Sequence, residues 1–456
     1  NTIALMTMRN KFFFIAAVVG AILTSCLGKQ SEGLSENAKI TSFSLKYKDT
    51  TIDLSKIKYD IKEISKGNGT ITPVDSLPYG TKLEALVVTL GQSRLSSAKI
   101  FETKDGVRQK EFDALDKSPD TVNFTDIVYI ETTAADKKTH YLYKVMLYAH
   151  KQDPDLYLWS GILTNAIPQN ITQEKLVRRD SVMMWYTANG SALSVYTSSD
   201  GKSWQAKTST GLPAGIDLRY MLAVGDSLYM AHNTDLYRSA DGLTWQRKTT
   251  TKSVDNLLCS IGGNIYAIDN TSLKLYRLAA GDWELLRLAT PSGTLPDNFP
   301  VDGAGIWSDR SANGVDRVYI AGGVDKGGNL LGSVWTSENG LYWVNIGSNS
   351  TLMTPRRDVA VFQYDDKLML IGGKDNSGIV TTNYYIYSPD YGITWATATD
   401  KMKLSPLFSP RYNAQVVVMP KKKRIYIVGG RAADGSFIKD VWAGGKNSLV
   451  WKVDKK

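Results

Sequence analysis

Eight residues in the carboxy-terminal part of this chain carry groups that can do chemistry and stand at comparable places: Asp217, Asp255, Asp302, Arg356, Arg357, Asp358, Arg411 and Tyr412. Each lies at or just ahead of an apolar run that reads as the first strand of a β-rich unit. Carboxylates and guanidiniums converging on one axial opening make a pocket for a polar ligand such as a glycan. Paired aspartates also hydrolyse glycosidic bonds, with an outcome set by their separation, which the sequence leaves open. The same residue types serve structure: aspartate forms turns through its own backbone.

The elements that must position these groups repeat. A turn closing on tryptophan reads Ser198-Ser199-Asp200-Gly201 to Trp204, Ser239-Ala240-Asp241-Gly242 to Trp245, and Ser337-Glu338-Asn339-Gly340 to Trp343. A fourth copy, Ser388-Pro389-Asp390-Tyr391-Gly392 to Trp395, is one residue longer. Asp-Gly and Asn-Gly between apolar-aromatic runs signal hairpins, and recurrence every ~40 to 60 residues signals a radial β array. Serine and aspartate are expected to bond their own backbone and tryptophan to fill the space between units. Counting central strands predicts six units, with seven open, over 165–210, 215–250, 254–290, 300–347, 355–399 and 410–454. They close on Trp204, Trp245, Trp283, Trp343, Trp395 and Trp451, and Asp155 to Leu163 reads as an outermost strand that can complete the last unit. Strand parity places the serine-aspartate turns and Lys421 to Arg424 on one face, and the eight residues above on the other. Lys421-Lys422-Lys423-Arg424 reads as a hairpin tip whose cations guard a strand edge.

Three central strands end in a glycine doublet: Arg317 to Gly322-Gly323, Lys367 to Gly372-Gly373, and Arg424 to Gly429-Gly430. These resemble the diglycine of kelch and galactose-oxidase-type β-propellers, and the tryptophan turns resemble the Asp-box of sialidase-type propellers. The resemblance implies a kelch-like β-propeller, and with it a bridge between neighbouring units for Arg356 and Arg411, each of which follows a proline at the start of a unit. Copper oxidase chemistry of that family requires two histidines, a tyrosine and a cysteine cross-linked to a second tyrosine, whereas this part of the chain has one histidine, His232, and one cysteine, Cys259. His140 and His150 lie ahead of it. Sialidase chemistry requires an arginine cluster, a tyrosine nucleophile and an activating glutamate. Beyond Asn170 the only glutamates are Glu174, Glu284 and Glu338, the last two at turns on the other face, and no Arg-Ile-Pro motif is present. No cofactor motif, metal-ligand spacing, phosphate loop or serine elbow is found, so the expectation is no cofactor and no metal.

All eleven tryptophans lie at or beyond Trp159, so residues 40–152 have a different core. Alternating runs such as Thr41-Ser42-Phe43-Ser44-Leu45, Leu86-Val87-Val88-Thr89-Leu90 and Ile127-Val128-Tyr129-Ile130 predict an all-β sandwich. Ala135-Asp136-Lys137-Lys138 joins the last run to Tyr141-Leu142-Tyr143-Lys144-Val145 as a closing hairpin. Ile40-Thr41-Ser42-Phe43-Ser44-Leu45, Asp75-Ser76-Leu77-Pro78-Tyr79-Gly80-Thr81, and Val122-Asn123-Phe124-Thr125 followed by the closing hairpin resemble the immunoglobulin-like domains of Bacteroidetes surface lipoproteins, usually spacers or docking modules. The fold class expected is therefore all-β: an Ig-like β-sandwich followed by a β-propeller over 153–456.

Arg9 and Lys11 followed by apolar Phe12 to Leu23 predict a signal peptide over 1–25. Leu23-Thr24-Ser25-Cys26 resembles a bacterial lipobox, which implies lipidation at Cys26 and cleavage before it. Residues 26–39 then read as a polar tether. Cys259 has no partner once Cys26 is acylated, so no disulfide is expected. The net charge of +9 falls to +7 when Arg9 and Lys11 leave, and it is spread along the chain. Nucleic acid is not an expected partner; the membrane is, through the lipid anchor. The whole resembles two-domain lipoproteins of gut Bacteroidetes. That resemblance implies an outer-membrane address, facing periplasm or cell surface. The functional expectation is a non-catalytic module binding a glycan or envelope protein. A polysaccharide hydrolase or lyase, or an envelope scaffold, remains open.

Overall fold

The computed structural model describes residues 34–447 except 48–51, 92–93, 117–119, 168–169, 312, 348–350 and 380–384. The signal segment, Cys26 and Trp451 lie outside the described residues. The chain divides between Lys151 and Gln152 into two compact units. No helix among the described residues is long and apolar enough to cross a membrane.

The first unit holds β1 (Ser42–Tyr47), β2 (Tyr59–Ser65), β3 (Asn68–Pro73), β4 (Leu86–Gly91), β5 (Leu95–Lys104), β6 (Val107–Asp113), β7 (Val128–Ala134) and β8 (His140–Val145). β1 and β4 form a two-stranded antiparallel sheet, and the other six form one sheet in the order β2-β3-β8-β7-β5-β6. The β3–β8 pair is parallel, a departure from a pure meander. Strict alternation in β7 sends Val128, Ile130 and Ala134 inward, as period-2 patterning requires. They meet Phe43 and Leu45 of β1 and Leu86 and Val88 of β4 in one core, so the two sheets share it. The closing hairpin β7–β8 is present, with Lys137 at φ 59° in its turn.

The second unit opens with β9 (Tyr157–Leu163), then four strands β10 (Gln173–Arg179), β11 (Val182–Asn189), β12 (Ala192–Ser198) and β13 (Gln205–Lys207) forming one antiparallel sheet. Three further sheets follow in chain order. They are β14 (Leu222–Val224), β15 (Ser227–His232), β16 (Asp235–Ser239), β17 (Gln246–Thr249); β18 (Asn256–Ile261), β19 (Asn264–Asp269), β20 (Lys274–Ala279), β21 (Asp282–Leu286); and β22 (Gly305–Arg310), β23 (Asp316–Ala321), β24 (Val334–Ser337), β25 (Val344–Asn345). The next holds β26 (Arg357–Tyr364), β27 (Lys367–Asp375), β28 (Gly378–Ile379), β29 (Ile386–Ser388) and β30 (Ala396–Thr397), with β28 as a side hairpin on β27. The last is β31 (Gln415–Met419), β32 (Arg424–Val428) and β33 (Val441–Lys446), completed by β9. The first strand of each sheet touches the first strands of its two neighbours, and β31 touches β10, so the ring closes.

Second strands are buried on both sides because each sheet is packed between two others. β11 accordingly reads as a continuous buried run from Met183 to Ala188, and β32 buries Ile425 to Val428. β9 joins β33 antiparallel with Gly444 opposite Trp159, so a strand from the start of the unit closes its last sheet. Trp159 thereby supplies a tryptophan to the outermost strand of that sheet.

The recurrent turns are rivets between neighbouring sheets. In the second copy, Ser239 Oγ accepts the Gly242 N–H at 2.9 Å and Asp241 Oδ1 accepts those of Leu243 and Thr244 at 2.8 and 2.7 Å. Gly242, at φ 77°, packs against Met184 of the preceding sheet, and the Tyr186 hydroxyl donates to its carbonyl. Gly201 rests in the same way on Tyr426, and Gly340 on Tyr266, whose hydroxyl donates to Asn339 O at 3.0 Å. Tyr391 of the longer copy stacks on Tyr319 with ring centres 6.4 Å apart. Lys422 Nζ donates to Ser199 O at 2.7 Å, placing the cationic hairpin tip beside the first of these turns.

Candidate functional site

All six first strands line one axial cavity of ≈ 1010 Å³. Its wall includes one apolar side chain from each: Leu176, Leu222, Leu257, Ile306, Val361 and Val416. The ends of these strands make two polar mouths. On the side of the hairpin turns stand Asp365, Asp366 and Lys446, with Asp365 bound by Lys367 at 2.9 Å and Lys446 at 3.4 Å. On the opposite side, where the first strands begin, a network centres on Asp302.

Asp302 Oδ1 accepts from Arg219 Nη1 at 2.9 Å and the Tyr220 hydroxyl at 2.7 Å, and its Oδ2 accepts from Arg357 Nη2 at 2.8 Å. Arg219 is forked on Asp217, with Nη2 to Oδ2 at 2.7 Å and Nε to Oδ1 at 3.1 Å. Arg357 Nε donates to Asp358 Oδ2 at 3.1 Å. The network thus draws on three sheets. Burial opposes ionisation of Asp302, but the Tyr220 hydroxyl and the two guanidiniums outweigh it and hold the carboxyl below the usual range. For Asp358 burial wins over Arg357, and the charge on Asp302 adds to it, so its carboxyl is pushed up. Lys175, half-buried in the same wall, has its ammonium pushed down to about 8 by burial, with Asp217 opposing and Arg219 assisting.

The backbone also fixes this mouth. Gly303, Asp358 and Asn413 occupy equivalent starts at φ 65°, 57° and 55°. Asp358 donates its N–H to Gly303 O at 2.6 Å, and Asn413 donates to Asp358 O at 2.7 Å, chaining three sheets around the axis. A left-handed aspartate is held there by its neighbours, a form of backbone strain common at functional sites.

Of the eight residues expected at this face, the structure brings Asp217, Asp302, Arg357 and Asp358 together. Asp255 stands apart and exposed, accepting the Asn270 N–H at 2.7 Å. Tyr412 lies under the Lys374 ammonium, 5.1 Å from ring centre. Arg356 and Arg411 are corrections: they are 6% and 1% exposed and cannot reach a ligand. Arg411 turns back into its own sheet, donating to Ser409 O at 3.0 Å, to Gly429 O at 2.9 Å and in a fork to Asp440. It clamps one sheet instead of bridging two. Arg356 binds Thr354 Oγ1 at 2.6 Å and its carbonyl at 3.1 Å. Sequence reasoning missed Arg219, Tyr220 and Lys175. The available signal was Asp217, which caps a 3-10 turn over Leu218–Tyr220 by accepting the Arg219 N–H at 3.0 Å, and so brings that arginine back to the axis.

Fold and site define an all-β protein whose second unit is a β-propeller with a polar axial mouth, preceded by a separate β unit. Residues 153–454 match the DUF6242 beta propeller domain and residues 34–147 the DUF6242 N-terminal domain, a domain of unknown function. The chain belongs to this two-domain DUF6242 family. No curated protein matches it. Among solved structures, one titled "Structure of YjhT" aligns at 13% identity with a TM-score of 0.45, covering 61% of this chain and 96% of that one.

Proposed function

We propose that this protein is a non-catalytic binding protein whose propeller takes a glycan at the mouth formed by Asp302, Arg219, Tyr220 and Asp358. One observation carries the proposal: charged and hydroxyl groups from several sheets converge on Asp302 at the rim of a large cavity whose wall is part apolar and part polar, the usual build of a ligand site. In this reading the protein is a Bacteroidetes envelope lipoprotein, tethered through Cys26 to the outer membrane. The first unit is an Ig-like sandwich that acts as spacer; its shared two-sheet core supports that. The second is a six-bladed kelch-like propeller with Asp-box turns, supported by six sheets in a closed ring. The partner is a glycan; an envelope protein at the same mouth is the other occupant to test.

The test is a glycan array with the wild type, Asp302→Ala and Arg219→Ala, each with a melting curve. Loss of a specific hit with unchanged melting supports the proposal. Binding that survives both substitutions overturns it.

A second reading, a polysaccharide hydrolase, is favoured by one feature. Asp302 and Asp358, linked through Arg357, have their carboxyls pushed in opposite directions, as an acid and a base require. Release of products from a polysaccharide panel, abolished by Asp358→Asn, would establish it in place of the first.

A further inference from the structure

Lys175 sits on β10 and lines the axial cavity. Its ammonium donates to the Arg219 carbonyl at 2.9 Å, and among the described residues no carboxylate pairs with it. An ammonium has three N–H donors, so two remain for whatever enters the cavity. The adjacent guanidinium offers no competition, because Arg219 is already committed to Asp217 and Asp302. Asp217 in turn is occupied by Arg219, and Asp302 by Arg219, Tyr220 and Arg357. Among the described residues that line the cavity at this mouth, Lys175 is therefore a cation without a paired carboxylate.

The surroundings of Lys175 keep it so. From the 3-10 turn, Asp217 and Arg219 act on it with opposite sign. β14 offers only Leu222 to Val224, β31 contributes Gln415, which binds the Leu176 N–H at 3.1 Å, and β11 places Tyr186 opposite. A charged amine held half-buried beside a carbonyl is costly unless paired, and an anion brought by a ligand removes that cost.

We infer that Lys175 is the anion subsite of the axial mouth and that the glycan is acidic, carrying a singly charged substituent, a carboxylate or a sulfate ester, that pairs with this amine. Its hydroxyls meet the Asp302 network. The inference rests on the reading of the mouth as a glycan site.

The experiment is calorimetric titration of the full chain with tri-galacturonate, with a sulfated galactose trisaccharide and with neutral tri-galactose. At least one acidic trisaccharide is expected to bind ten-fold or more tightly than the neutral one, and which does so distinguishes uronate from sulfate. Lys175→Met should remove the preference for the acidic sugar, and Lys175→Arg should keep it; melting curves report whether each variant is folded. Binding to the acidic sugar at pH 8 should also take up protons, seen as a dependence on buffer ionisation heat that is absent in Lys175→Met. Equal affinity for acidic and neutral sugars, or a preference that survives Lys175→Met, overturns the inference while the glycan site stands. Failure of all three sugars to bind overturns both.

Discussion

Gly430 donates its backbone N–H to Glu174 Oε1 at 2.7 Å, and through that bond the last sheet of the propeller holds the first. At an earlier doublet the same task falls to main chain: Gly323 donates to the Arg356 carbonyl at 2.8 Å. At the seam a side-chain carboxylate replaces that carbonyl, and Trp185 Nε1 donates to its second oxygen at 3.0 Å. Burial nonetheless pushes the Glu174 carboxyl up to about 8, against the Gly430 and Trp185 donors.

A pH dependence of stability follows. With the folded value above the unfolded one, the contribution of Glu174 is fully present below pH 4.5 and is lost as pH rises through 8. Glu174→Gln removes the titration and keeps one acceptor. Urea melts at pH 5, 7 and 9 should show the wild type losing more stability than the variant across this window, on the order of a few kcal/mol. A difference between the two that stays constant from pH 5 to 9 contradicts this account of the seam.

Gly322 and Gly328 separate a crowded left-handed glycine from a free one. A Cβ on Gly322, at φ 67°, would stand 2.6 Å from the Arg356 carbonyl oxygen, while one on Gly328, at φ 81°, would meet nothing within 4 Å. Gly328→Ala should cost only the backbone preference, about 1–2 kcal/mol. Gly322→Ala should cost clearly more, since main chain in the next sheet must move. Equal melting points for the two variants would refute the close-approach role of the doublet.

What the sequence made legible was whatever is local. Asp-Gly and Asn-Gly turns, glycine doublets and runs such as Arg424 to Val428 depend on their own neighbours, and they marked sheets, faces and the closing role of β9. The receiving side chains on the preceding sheet were hidden. Tyr426 serves the turn at Gly201, and no periodicity links residues so far apart. Side-chain direction at strand starts was equally hidden. Pro355-Arg356 and Pro410-Arg411 mark a position, but only the geometry beneath the doublet shows that both arginines turn inward. Arg219 reaches the axis through a 3-10 turn too short to leave a pattern.

Asp241 should matter for stability and not for binding. The Thr244 and Leu243 N–H groups hold its carboxyl below the usual range, on the face away from the Asp302 mouth. Its contribution is present above about pH 4 and lost as pH falls further, because the folded value is the lower one. Asp241→Ala should cost about 1 kcal/mol at pH 7, with the gap to wild type closing in acid. Glycan affinity measured at pH 7 should be unchanged; a loss of affinity in a fully folded Asp241→Ala would move the site to the turn face.

Arg411 and Asp302 form the sharpest contrast, since both begin as members of one expected ring. Arg411 is fully buried and forked on Asp440, with Phe408 packed 4.2 Å from its guanidinium carbon to ring centre. Arg411→Ala leaves the Asp440 carboxylate with the Trp442 indole N–H but no cation and opens a cavity beneath Gly429, which should cost about 3–5 kcal/mol. Asp302 is different: removing it leaves Arg219 on Asp217, an exposed pair of the kind that contributes about 0–1 kcal/mol, and Arg357 still on Asp358, so no guanidinium of the network is left without a carboxylate. Asp302→Ala should therefore melt within a few degrees of wild type and lose glycan affinity by ten-fold or more. Arg411→Ala should melt far lower, and whatever fraction stays folded at low temperature should bind with wild-type affinity. Thermal melts and titrations on the same preparations measure both. An Arg411→Ala protein that is stable but unable to bind would return that arginine to the mouth.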